Sequence, residues 1–126
     1  MIGMASMAVK RICDTVTDED GDRILNDRLW SRGISKERAA LAEWDKDVAP
    51  SPELRKWFGH DSPRFAAFSV RYRDELISSP AAEALAVRCR EQLECGRNVS
   101  MLYAAKGSAC NHTIALKDWL VERLGC

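Results

Sequence analysis

Two separated segments concentrate the side chains that could do chemistry. The first is Asp27–Arg28–Leu29–Trp30–Ser31–Arg32–Gly33, with one acid, two guanidiniums and an indole ahead of a glycine. Arg28 and Arg32 have the planar fork that grips a phosphate or carboxylate through paired hydrogen bonds. The second is Lys106–Gly107–Ser108–Ala109–Cys110–Asn111–His112. Its lysine and its flexible Gly–Ser turn run into a helix start, where exposed N–H groups and the helix dipole favour anions. Asn111 is suited to cap that helix, which puts His112 in its first turn as a candidate for proton transfer. The GxxxxGK[ST] pattern of a nucleotide-binding P-loop is absent. The purely structural alternative is an Asp27–Arg28 pair beside a core Trp30, with His112 on an ordinary capped helix.

Weaker constellations complete the inventory. His60 beside Asp61 has the composition of a catalytic dyad, but adjacent residues rarely orient one another. Trp57 and Phe58 are expected in the core, with His60 at a turn. Cys110 near His112 is a weak nucleophile signal. Two histidines and five cysteines without CxxC spacing offer no metal-ligand set, and no cofactor is implied. Trp44, Trp57, Phe58, Phe65, Phe68 and Tyr72 interleave with Arg55, Lys56, Arg64, Arg71 and Arg73. Such a pattern can stack nucleobases, although at helical spacing it is the mark of core aromatics beneath solvated arginines.

Three strands and a set of capped helices would position these groups. Val9–Cys13, Arg23–Asp27 and Val99–Tyr103 have the length and composition of strands. Three Ser–Pro starts, at Ser51, Ser62 and Ser79, each combine a cap with a first-turn proline. The second precedes a stripe of Phe65, Phe68, Tyr72 and Leu76; the third precedes Leu85, Cys89 and Leu93. Ser35 is expected to cap a helix carrying Leu41 and Trp44. A last helix spans Thr113 to Leu124 with Gly125 as its stop. This order predicts a small single α/β domain with a short, mainly parallel sheet of about three strands and helices packed around it. Residues 10–126 would form the domain and residues 1–9 an extension. The loop after the last strand then lies at the strand's carboxyl end, where open α/β sheets bind ligands.

At 126 residues and zero formal net charge, the chain is one domain and not a strongly basic nucleic-acid module. Residues 14–27 carry six acids and one base, and read as a solvated loop, whereas 28–73 carry ten bases and six acids. Five cysteines with no secretory leader predict reduced thiols in the cytoplasm, and no membrane segment is expected.

Three blocks together resemble a known family. Asp27 to Lys36 is similar to a DRLWPRGxSK signature. Ala49–Pro50–Ser51–Pro52–Glu53–Leu54–Arg55–Lys56–Trp57–Phe58–Gly59–His60–Asp61 and Leu102–Tyr103–Ala104–Ala105–Lys106 followed by Asn111–His112 resemble its later blocks. The family is the YeaO-like branch of a bacterial domain family of unknown function, and the likeness runs from about Lys10 to Leu120. It implies a parallel α/β fold and a cytoplasmic protein. Longer relatives carry Asp–Val–Arg after the second strand and Cys–His–Arg opening the last helix. Asp27, Arg28 and His112 fall on matching positions, while Asn111 falls where the cysteine would be. Ser31, Gly107 and Cys110 replace a usual proline, acid and histidine. The expectation is a strand-end pocket for a phosphate- or carboxylate-bearing small molecule, nucleotides among them. Asp27 and His112 would carry any chemistry there. Arg28, Arg32, Lys106 and Asn111 would bind, with Trp30 and Tyr103 as walls. The alternative is a nucleic-acid-associated module using the basic, aromatic-rich middle.

Overall fold

The structure is a computed structural model that describes residues 5–27, 35–59, 61–104 and 111–125. Four strands form one parallel sheet: β1 (Met7–Arg11), β2 (Asp22–Leu25), β3 (Glu43–Trp44) and β4 (Val99–Tyr103), in the order β1-β4-β2-β3. Among the described residues, five α-helices accompany it: α1 (Lys36–Ala39), α2 (Pro52–Phe58), α3 (Phe65–Ile77), α4 (Pro80–Glu94) and α5 (His112–Leu124). β4 is buried along its whole length, as a central parallel strand must be. No helix among the described residues is long and apolar enough to cross a membrane.

The strand beyond the three expected is β3, and it replaces the helix expected to carry Leu41 and Trp44. That helix ends after Ala39, and Ala40 turns the chain with φ 49°. Glu43 and Trp44 then pair with Ile24 and Leu25, and the Trp44 indole donates to the Asp27 carbonyl at 2.8 Å. Apolar residues three apart suit a helix, but the open edge of β2 needed a partner more. β1 begins at Met7, two residues ahead of Val9.

The serine caps form largely as expected. Ser51 Oγ accepts from Leu54 N–H, Ser79 Oγ from Ala82 N–H, and Asn111 Oδ1 from Ile114 N–H. Ser62–Pro63 instead opens a single 3-10 turn that leads into α3. Gly59 and Gly125 end their helices in the left-handed conformation.

One face of the sheet carries the main core, where Met7, Ile24, Val99 and Met101 meet Phe58, Phe68, Leu76, Leu85, Cys89, Leu116 and Leu120. Phe58 stacks on Phe68 at 4.3 Å, and Phe65 is partly buried at the edge of this cluster. Trp57 is also partly buried, with Arg71 over its ring at 4.0 Å. The opposite face has a smaller core of Ile12, Leu25, Ala39 and Leu102.

The acidic stretch is not simply a solvated loop. Asp20 is buried and accepts from Lys10 at 2.8 Å and from Arg23 at 2.6 Å. Arg23, itself buried, also donates to the Ala39 carbonyl at 2.8 Å and so ties β2 to the end of α1. Burial alone would raise the Asp20 pKa. The hydrogen bonds from Lys10, Thr17 and Arg23 outweigh it and hold the carboxyl well below its ordinary range.

Candidate functional site

All four strands are parallel, so their carboxyl ends meet at one edge, and α5 starts there. His112 is its first residue, and its Nε2 lies 2.9 Å from Asp27 Oδ1 just beyond β2. Both side chains are mostly buried, at 15 % and 16 % exposure. The oxygen is close enough for an ion pair but off the ring N–H direction, so Nε2 lacks an aligned hydrogen-bond acceptor.

The floor of the site comes from residues that the sequence analysis did not single out as site residues. Asn26 is fully buried directly after β2, and its Oδ1 accepts from the Thr113 hydroxyl at 3.1 Å. Its Nδ2 has no aligned acceptor. Tyr72 comes up from α3, presents its ring edge to His112 at 6.4 Å and donates to the Val48 carbonyl at 2.6 Å. Burial keeps its phenol un-ionised far beyond the usual range, against a smaller opposing effect of Asn26. Asp45 follows β3, and burial, with Glu43 and Asp47 nearby, pushes its carboxyl up to about 6. A polar residue after an apolar strand was the available signal for Asn26; Tyr72 looked like one more core aromatic.

Of the other expected site residues, Tyr103 is buried at the end of β4, and Asn111 is buried with its carboxamide oxygen engaged as the α5 cap. Arg28, Trp30, Arg32 and Lys106 lie outside the described residues, as do His60 and Cys110. A cleft of about 200 Å³ is lined by Tyr72 together with Asp47, Ser51, Glu75 and Ser79. There the backbone N–H and hydroxyl of Ser51 both donate to the Glu75 carboxylate, at 2.9 and 2.5 Å.

Comparison with known proteins decides the family. The model described as the "Inactive DUF488-N3 subclade" matches residues 6–125. The chain belongs to this subclade. It is 42% identical over 112 residues to the uncharacterized protein YeaO of Escherichia coli K12, covering 88% of this chain and 93% of that protein. It is 41% identical over 85 residues to an uncharacterized protein of Mycobacterium tuberculosis H37Rv, covering 68% of this chain and 72% of that protein. A Mycobacterium bovis protein matches to the same extent. No solved structure matches. Membership of this subclade agrees with the YeaO-like resemblance of the three sequence blocks.

Proposed function

We propose that this member of the subclade binds a phosphate- or carboxylate-bearing small molecule at the carboxyl edge of its sheet, without nucleophilic catalysis. The observation that carries the reading is the meeting of Asp27 and His112 at the first turn of α5, beside a fully buried Asn26 whose Nδ2 faces the Tyr72 oxygen without a well-aligned hydrogen bond. A native fold favours well-aligned partners for buried donors, so this loosely engaged Nδ2 is available to a better-placed ligand oxygen. The helix start adds favourable potential for an anion. Arg28, Arg32 and Lys106, outside the described residues, are the cations expected to favour such a ligand, and nucleotides fall within the ligand class.

Binding without turnover is supported by the residue that opens the last helix. Where longer relatives place a cysteine, this chain has Asn111, and its side-chain oxygen is engaged in capping α5. The description of the subclade as inactive points the same way. The odd cysteine count without CxxC spacing supports a reducing, cytoplasmic setting.

Urea unfolding with and without millimolar phosphate or a nucleoside monophosphate tests the reading. A ligand at 100 times its Kd stabilises the native state by about 2.7 kcal/mol. The expected result is stabilisation of the wild type that shrinks in Arg28→Met and Lys106→Met. No stabilisation by any anion, together with a large loss for Arg28→Met alone, would assign these residues to structure. Binding to nucleic acid that weakens steeply with salt would favour the basic middle of the chain instead.

A further inference from the structure

We infer that Arg11 is the anion anchor of the strand-end site, holding the ligand's phosphate or carboxylate at the β1 end of the sheet. The inference rests on the anion-binding reading above and adds a residue that none of the sequence motifs contains. Arg11 pairs in register with Tyr103. Leu25 pairs with both Leu102 and Trp44, so one step further Asn26 stands level with Tyr103 and Asp45. Side chains alternate across a sheet. Arg11 therefore shares a face with Met7, Tyr103 with Val99 and Met101, and Asn26 with Ile24, and Met7, Val99, Met101 and Ile24 all belong to the core under α5. One row at the carboxyl ends thus reads Arg11, Tyr103, Asn26, Asp45, and α5 packs on β1 and β4 beside it.

Within that row Arg11 is the only cation, and it is treated differently from its neighbours. Lys10 and Arg23, on the other face, both reach Asp20. Among the described residues, the Arg11 guanidinium makes no ion pair, and its Nε is buried with no hydrogen-bond partner. Asp14 accepts from the Arg11 backbone N–H at 3.2 Å rather than from the guanidinium. Arg11 is partly buried, with only Nε withdrawn from solvent, so its terminal fork stays open to an incoming anion. Strands lie about 4.8 Å apart, so Arg11 and Asn26 are about 10 Å apart across β4. A ligand touching both is longer than a bare phosphate. Its anionic group belongs at Arg11, and its hydrogen-bonding body extends over Tyr103 toward Asn26.

The test compares wild type, Arg11→Met and Arg11→Lys by calorimetric titration with inorganic phosphate and with a nucleoside monophosphate, and by urea midpoint without added anion. The expected result is tighter binding of the monophosphate than of phosphate by the wild type. Affinity should fall about ten- to a hundredfold in Arg11→Met, the scale of a lost charged hydrogen bond. Arg11→Lys should fall between, because it keeps the charge and loses the fork. The urea midpoint of Arg11→Met should hold or rise. Unchanged affinity in Arg11→Met would overturn the assignment. If Arg28→Met or Lys106→Met still weakens binding in that case, the anion site itself stands. A wild type that binds neither probe removes both readings. If Arg11→Met does not fold, Arg11→Lys decides: weakened binding supports the anchor and full affinity refutes it.

Discussion

Asp20→Asn is the perturbation whose consequences the structure constrains most tightly. Asp20 is 6 % exposed and Arg23 2 % exposed, so this ion pair sits almost out of water. The carboxylate also accepts from the Lys10 ammonium, the Thr17 backbone N–H and the Thr17 hydroxyl. Removing its charge leaves a buried guanidinium whose remaining acceptors are the carbonyls of Ala39 and, at 3.5 Å, Ile12. Breaking one side of a buried pair costs about 3–5 kcal/mol, because the other charge stays desolvated and uncompensated. That is a large part of the 5–15 kcal/mol typical of a domain, so the urea midpoint at pH 7 should drop sharply. The pH dependence carries the same signature. The folded pKa lies below the unfolded value of about 3.9, so the stabilisation is complete above that value. It is lost progressively as pH falls through 3.9 toward the folded pKa. Wild type should weaken across this acid window, and Asp20→Asn should show a flatter acid limb. Urea unfolding by circular dichroism from pH 7 to pH 2.5 measures both. A loss under about 1 kcal/mol at pH 7, or an acid limb identical in the two proteins, would refute the account.

Three further outcomes follow from the same kind of reasoning. Gly21→Ala should destabilise by about 2–4 kcal/mol, since Gly21 has φ 61° and a Cβ there would overlap the Asn98 carbonyl; thermal unfolding reads the loss. With a disulfide-exchange reagent, Cys13 and Cys95 should react quickly in the native state. Cys89, buried and with its thiol pushed up to about 12, should react only on unfolding. Asp45 has a folded pKa of about 6, raised above its unfolded value, so its ionisation costs stability as pH rises from about 4 to 6 and the cost stays constant above that. Asp45→Asn should therefore be more stable than wild type at pH 8, by about 1 kcal/mol given partial solvent screening, and no more stable at pH 4; urea unfolding at the two pH values checks it.

Local signals were the legible ones. Ser51, Ser79, Asn111 and Gly125 act through neighbours three or four residues away, so their types and spacing were enough to place the helix ends. β4 was legible because a short apolar run next to Gly107 has few other uses. β3 was not. Leu41 and Trp44 fit one helical face as well as any core pair, and only the unpaired edge of β2, a property of the assembled sheet, selects the strand. The direction of β1 relative to β2 was equally hidden. The two do not touch; β4, from the far end of the chain, lies between them and pairs with both in parallel. Asp20 was misjudged for a related reason. Six acids among fourteen residues look solvated until folding brings Lys10 and Arg23 onto one of them.

The same distinction governs the candidate site. Asp27 and His112 stood out as chemical types near predicted element ends, and the fold sets them 2.9 Å apart across 85 residues of chain. Arg11 and Asn26 carried no such mark, because a strand's last inward-facing residue is recognisable only when register and face are known. Each looks like a strand residue of the wrong polarity: Arg11 two positions after Val9, Asn26 two after Ile24. In a sheet buried beneath helices, an inward polar residue lowers stability unless something satisfies it. Thr113 satisfies the Asn26 Oδ1 and Tyr72 engages its Nδ2 only loosely, while no described group satisfies the Arg11 Nε. Both donors lie in one row, two strands apart, at the edge where α5 begins. A core assembled for stability alone would put apolar residues there, as it does two residues earlier on β4 and β2 with Met101 and Ile24. The change from apolar to polar between those two rows marks where packing stops and recognition begins.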